Sequence, residues 1–598
     1  MLGPSSQWII SPSGAGKRRR PRSDRPVESR LATSTRATVR PLQIPLSPPP
    51  IRLDSIRTSQ LAMNVTEAIA HALKAEGVEY VFGFPSNPLF DTGAAEDAGL
   101  RTIITRQERT AVHMADAIGR LTSGDEVVAF ACQHGPGTEN SIGAVAQAYG
   151  ESAPLVAIPA GYDRAKTDVD PKFNSLIAYQ SVSKTCEQLT DPDAVGETFR
   201  RAFTAARNGR PRPAVVEVPK DVFWEDAPED FEYTPSSANR AGVDPDAVPA
   251  VADALVDAEN PVIFAGQGVH YAKAWDELKE LAETLEAPVA TSLNAKSAFP
   301  ESHPLSLGAG SKSEPGQLAH FLRECDVLFG VGCSFTETAY GITVPEGKTV
   351  IHSTLDPTDI DKDVDSELAL VGDAQIVLDA VVDAVDERVD DDRGRFDDVA
   401  DEIASVKSDW LAEWEPKLTS DETPINPYRV IHEITNVVDP EETIITADAG
   451  NPRDFLAPFY ETDEPLSYIG WGKTTQLGYG LGLALGAKVR FPEKLCINIM
   501  GDGAIGMTGL DFETAAREDA PILTIHLNNY EMASYDTPFS GDFADVGEAL
   551  GGYGERVEDP DEVAPALERA IEKTEEGTPA LLEFITSKET ELSRPDLD

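Results

Sequence analysis

The sequence predicts an α/β protein made of three parallel-sheet blocks behind an N-terminal segment of different character. Three observations carry this reading. From Met63 onward, helix-period segments alternate with short apolar runs, the pattern of strands joined by crossover helices. Several of those runs are continuous rather than alternating, as in strands buried on both faces. Two polar stretches, 225–244 and 387–424, interrupt the alternation and read as linkers.

The first block, 63–235, opens with a helix over Ala68–Glu76 and a strand over Tyr80–Phe84. A strand over Arg101–Thr105 leads to a helix over Arg109–Arg120. The buried strand Glu126–Cys132 precedes a small-residue helix over Ser141–Tyr149, and Leu155–Pro159 and Ala214–Val218 are further strands. The second block, 245–386, has strands at Val262–Ala265, Pro288–Thr291, Val327–Val331 and Thr349–His352, with helices at Asp276–Leu285 and Ile376–Val385. The dense charge run Asp386–Asp398 begins the second linker, read as partly helical. The third block, 425–590, carries the apolar strands Ile444–Ala447, Leu495–Met500 and Ile522–Leu527 and a small-residue helix at Gly478–Val489.

Composition narrows the function. The chain has 598 residues and is 41% hydrophobic, enough to build sizeable cores. No apolar run approaches the ~18 residues that cross a bilayer. Five scattered cysteines without CxxC spacing argue against a disulfide framework and suit a reducing cytosol. Against 51 Lys and Arg stand 102 Asp and Glu, a net charge of −51, which repels nucleic acid and anionic membranes. Eleven Lys or Arg against three acids before Met63 give that segment +8 and leave −59 for the rest. Such an acidic excess is tolerable where salt screens it, so the expected location is the cytoplasm of a halophile. Residues 1–62, rich in Arg, Ser and Pro, are read as a disordered or non-native extension with Met63 as the true start. A transit peptide and a basic nucleic-acid-binding arm are the competing readings.

The chemistry gathers at strand ends. Gly501-Asp502-Gly503 follows one apolar strand and Asn528-Asn529 follows the next. Neighbouring strand ends of a parallel sheet form the usual ligand crevice. The Asp502 carboxylate and the Asn529 side-chain carbonyl are hard oxygen donors suited to Mg²⁺, and the glycines with Ala504 let backbone approach a diphosphate. Glu108 lies at a strand–helix junction within Arg106–Asp116, where an apolar pocket would raise its pKa for acid–base work. Gln133-His134-Gly135-Pro136-Gly137 follows another strand, with Asn140 just beyond. His134 could donate a proton, bind a carboxylate, or merely bridge turn backbone.

Together these motifs resemble those of thiamine diphosphate (ThDP) enzymes of the acetolactate synthase and pyruvate decarboxylase type. The resemblance covers most of 63–590 and is strongest in the outer blocks. It implies three doubly wound parallel-sheet domains: pyrimidine-binding, central and diphosphate-binding. It implies that Asp502, Asn529 and the backbone carbonyl of Glu531 bind Mg²⁺, that Gly450, Asn451, Gly501, Gly503 and Ala504 line the diphosphate, and that Leu477 wedges the cofactor into its bent form. It makes Glu108 the activator of the aminopyrimidine ring and puts Gln133, His134 and His113 at the substrate. His134 departs from the small hydroxyl residue usual there, and no Trp follows Asn529 in Tyr530–Tyr535, which leaves the reaction open. An acetolactate-forming ligase, a non-ligating 2-oxo acid decarboxylase and a non-catalytic ThDP-binding protein are all carried forward. FAD also stays open, on Gly266-Gln267-Gly268 and Gly332-Cys333-Ser334-Phe335 of the central block. The expected partners are a small 2-oxo acid and a second copy of the chain. The resemblance implies a homodimer or homotetramer with shared sites, because relatives take Glu108 and Leu477 from different subunits.

Overall fold

The computed structural model describes residues 63–389, 393–474, 476–532 and 537–594. The extension 1–62 lies outside them, as does most of the segment after Met532 in which no Trp was found. The first sheet has β1 (Tyr80–Gly83), β2 (Arg101–Ile104), β3 (Val128–Cys132), β4 (Leu155–Gly161), β5 (Thr185–Gln188) and β6 (Ala214–Pro219), in the order β2-β1-β3-β4-β6-β5. The second has β7 (Pro261–Ala265), β8 (Val289–Ser292), β9 (Ser306–Gly310), β10 (Val327–Val331), β11 (Thr349–Thr354) and β12 (Leu368–Val371), ordered β12-β11-β10-β7-β8-β9. The third begins with β13 (Thr443–Ala447), β14 (Leu495–Gly501) and β15 (Leu523–Asn528). A small antiparallel ladder of β16 (Glu531–Met532) and β17 (Thr537–Pro538) follows, outside the main sheet. β18 (Tyr553–Val557) and β19 (Ala580–Ile585) then close the order β13-β14-β15-β19-β18. Every pairing in the three large sheets is parallel, and the strand order reverses at β1/β3 and at β7/β10, the positions where open α/β sheets leave a crevice.

Local chemistry explains the main departures from expectation. The helix predicted from Ser141 begins at Pro136, because proline has no N–H to leave orphaned and its fixed φ suits a first turn. The first helix starts three residues early, at Val65, where Asn64 and Glu67 form a reciprocal capping box. Short edge elements such as β5 and β9 lack a continuous apolar run and were not anticipated. The stretch 387–424 is more than a spacer. It contains a helix, Phe396–Leu418, that buries Trp410 and Trp414 against Phe459 and Tyr428 of the third block. Its remaining faces are charged, which masks the apolar stripe in a linear reading.

The two outer blocks meet through helices Glu108–Leu121 and Tyr479–Arg490. The second helix is Gly- and Ala-rich for a physical reason: a Cβ on Gly482 would lie 2.5 Å from the Cβ of His113, and one on Gly486 would strike the Met114 backbone. Within this seam Asp116 and Arg120 pair at 2.7 Å, Arg120 also reaches the Tyr479 hydroxyl and the Gly470 carbonyl, and all three side chains are buried. Leaving any member unpaired there would cost the desolvation of a charge, so the network fixes how the blocks sit.

Candidate active site

One half of the site stands on the first block. Glu108 is the first residue of its helix and is only 4% exposed. Burial pushes its carboxyl pKa up, and this outweighs its own amide and the Asn140 side chain, which donates to Glu108 Oε2 at 3.2 Å. The turn at Gln133–Gly137 crosses beside it. Gly135 adopts φ +66°, a left-handed conformation that favours glycine, and a Cβ on Gly137 would sit 3.3 Å from Glu108 Oε1 and 3.0 Å from Gln133 Cγ. Gln133 and His134 are half-buried at this rim. His113 is elsewhere: it is wholly buried in the helix seam, bonds Gln476 Oε1 at 2.9 Å and meets Tyr479 edge-on. Burial drives its pKa down to about 3, so it is a neutral packing residue, and the structure corrects its assignment to the substrate pocket.

The other half is a cleft of about 430 Å³ on the third block. Gly450, Asn451, Leu477, Gly501, Asp502, Gly503, Ala504, Asn529 and Glu531, all expected there, line it. The Asn529 amide donates to Asp502 Oδ2 at 3.2 Å, which holds the two strand ends together. His526, fully buried, lies 3.3 Å from the other Asp502 oxygen. Asn529 Oδ1 accepts from the Glu531 amide at 3.0 Å, and the Glu531 carboxylate turns away to Lys588 at 3.0 Å. Leu477 leans over Gly503, whose Cβ would meet its Cδ1 at 3.6 Å. Among the described residues no cluster of three or more His, Cys, Asp or Glu could hold a metal. One carboxylate with neighbouring carbonyl oxygens suits a hard octahedral ion that completes its shell with phosphate and water. The open space at Gly450, at φ +90°, and the soft contacts at Gly503 leave room for a diphosphate.

Three carboxylates that sequence reasoning passed over hold these parts in place. Asp448, fully buried at the end of β13, accepts from the amides of Ala449, Gly478 and Gly480 at 2.8, 2.9 and 2.7 Å, and so fixes the turn that presents Leu477. Asp511 accepts from the Arg106 amide and the Thr110 hydroxyl, both at 2.7 Å, and ties the third block to the turn that starts the Glu108 helix. Glu151 accepts from the Lys473 and Thr474 amides at 2.8 and 2.9 Å and from Asn294 at 2.6 Å, which joins all three blocks. None carries a motif. Only Asp448, inside Asp448-Ala449-Gly450-Asn451, sat in a segment that drew attention.

The 430 Å³ cleft takes Lys312 and Tyr340 from the central block, and no lining residue comes from the first block. Within one chain Glu108 is therefore not among the residues that line the Asp502 cleft. A second crevice, of about 150 Å³, opens between β7 and β10 of the central block and is also lined by Arg210 of the first block and Lys473 of the third. Here the amides of Gly266 and Gly268 donate to Val331 and Gly332, both at 2.8 Å. These two amides are spent on the neighbouring strand end.

Comparison with known proteins adds the following. The chain matches the thiamine pyrophosphate enzyme family in three parts: the N-terminal TPP binding domain over 63–187, the central domain over 248–381 and the C-terminal TPP binding domain over 448–584. It is 33% identical to a probable acetolactate synthase large subunit of Methanocaldococcus jannaschii, over 88% of this chain and 92% of that protein. It is 30% identical to the probable acetolactate synthase large subunit of Methanococcus aeolicus, over 89% and 93%. It is 28% identical to the acetolactate synthase isozyme 3 large subunit of Escherichia coli (strain K12), over 85% and 92%.

Proposed function

The chain belongs to the thiamine pyrophosphate enzymes, and from that premise we propose that it decarboxylates a 2-oxo acid and joins the remaining fragment to a second carbonyl, as an acetolactate synthase does. The observation that carries this reading is the pairing of a buried Glu108, whose pKa burial raises, with a cleft that sets one carboxylate, Asp502, among carbonyl oxygens. Bound ThDP would supply the carbon nucleophile and the electron sink for loss of carbon dioxide. Asp502, Asn529 and the Glu531 backbone carbonyl would hold Mg²⁺. The amides around Gly503 and Ala504, with Gly450 and Asn451, would receive the diphosphate, and Leu477 would support the bend between the rings. Glu108, its pKa raised by burial, would donate to the pyrimidine ring. Asn140, hydrogen-bonded to Glu108, keeps that carboxyl oriented. Gln133 and His134 would face the 2-oxo acid.

The two halves complete each other when a second copy supplies Glu108 to the Asp502 cleft, so the working form is a homodimer or a multiple of it. Incubation with pyruvate, ThDP and Mg²⁺ tests the reaction. Acetolactate is expected. Acetaldehyde instead would mean that protonation outruns ligation. Glu108→Gln should keep the fold and ThDP uptake and lose about 10²- to 10⁴-fold in turnover. Turnover near that of the parent would remove Glu108 from the chemistry.

A further inference from the structure

The strands β3, β4 and β6 are neighbours in the first sheet, so the residues that follow them share one rim. His134 follows β3, Tyr162 follows β4 and Lys220 follows β6. The His134 ring stands edge-on to Tyr162 with centroids 4.9 Å apart, and the Tyr162 hydroxyl lies 3.0 Å from where a Gly135 Cβ would be. The Lys172 ammonium sits 5.1 Å from the Tyr162 ring centroid. Lys220 is near enough to His134 to help hold the imidazole below its ordinary pKa, behind burial as the main cause and against Asp163.

Four of the acids around this rim are already engaged. Asp163 pairs with Lys166 at 3.2 Å, Asp221 with Arg164 at 2.9 Å, Glu217 accepts from Gln188 at 2.7 Å, and Asp168 from Asn174 at 3.2 Å. Among the described residues, neither the Lys172 nor the Lys220 ammonium has a carboxylate or a hydrogen-bond partner. In a chain with two acids for every base, two ammonium groups without a partner on one rim are open to an outside anion. The same turn meets Glu108 at Gly137 and Tyr162 at Gly135, so this rim adjoins the acid of the active site. The carboxylate of a 2-oxo acid departs as carbon dioxide, and a lasting anion at the rim must be a different group.

Resting on the reading that this enzyme acts on 2-oxo acids, we propose that its preferred donor carries a second acidic group, in the simplest case a 2-oxo dicarboxylate, whose distal carboxylate is held by Lys172 and Lys220 with a hydrogen bond from His134. The test uses the holoenzyme with ThDP and Mg²⁺ and follows carbon dioxide release from pyruvate, 2-oxoglutarate and 2-oxoadipate, each alone. One dicarboxylate should exceed pyruvate at least about tenfold in kcat/KM. Lys172→Met and Lys220→Met should each lower the dicarboxylate-to-pyruvate ratio about fivefold to tenfold, the scale of one ammonium–carboxylate contact near a surface, and Lys→Arg at either position should restore most of it. Pyruvate turned over as well as or better than the dicarboxylates, or a ratio indifferent to both lysines, would overturn the proposal and leave the proposed function standing. Release from none of the acids, with ThDP bound, would take down both.

Discussion

The crevice at the end of β14 and the crevice at the end of β7 are each made with a pair of glycines, and they use them in opposite ways. After β14, Gly501 and Gly503 border a 430 Å³ cleft, and added Cβ atoms there would meet only side chains, at 3.6 Å or more. After β7, a Cβ on Gly266 would strike the Cys333 backbone and one on Gly268 would lie 2.7 Å from Gly332 Cα. The first pair makes room for something that is not protein. The second lets two loops of the same sheet touch. A glycine motif therefore says that backbone comes close, and only the neighbour says to what.

The sharpest way to break this contrast is Asp502→Ala. If the β14 crevice is the coenzyme's, calorimetry should show Mg²⁺-assisted ThDP uptake weakened by about 100-fold or more, with the far-ultraviolet dichroism of the parent. Uptake within a few fold of the parent would make the cleft an incidental hollow. Gly268→Ala is the counterpart. A methyl driven into backbone should cost about 2 to 3 kcal/mol, read as a lower midpoint in denaturant, while ThDP affinity stays within about twofold. Unchanged stability would mean that the β7 loop has slack and that the crevice can open.

The same contrast explains what the sequence disclosed. Asp502, Asn529, Leu477 and Glu108 were legible because chemistry, strand end and spacing coincide within a few residues, and the long apolar strands that carry them were legible for the same reason of local contrast. Asp511 and Glu151 were not. Each takes its meaning from partners about 140 to 400 positions away, Arg106 and Thr110 for one, Lys473 and Asn294 for the other, and nothing local marks them. At Gly266-Gln267-Gly268 sequence shows donor amides and conceals the carbonyls of Val331 and Gly332 that accept from two of them. His113 misled similarly: a histidine five residues beyond Glu108 looks catalytic until its helix face is known to be buried.

Asp448 offers a third use of glycine amides, and one that pH can undo. Gly478 and Gly480 donate neither to open space nor to a backbone carbonyl but to a buried carboxylate. Burial lifts the Asp448 pKa to about 6, outweighing the three amide bonds that favour its ionised form. A carboxyl whose folded pKa exceeds its unfolded value of ~3.9 binds protons more tightly in the native state. Its contribution is therefore fully present below about pH 4 and is lost as pH rises through about 6. Asp448→Asn removes that titration while keeping one acceptor. The variant should show a flatter stability-against-pH curve between pH 4 and 6, by about 1 to 2 kcal/mol across the window, in denaturant melts at fixed salt. Because Asp448 fixes the turn that carries Leu477, ThDP affinity should weaken by a few fold at every pH. A curve with the parent's slope would mean that the amides of Gly478 and Gly480, like those of Gly266 and Gly268, hold an acceptor that does not titrate in this range.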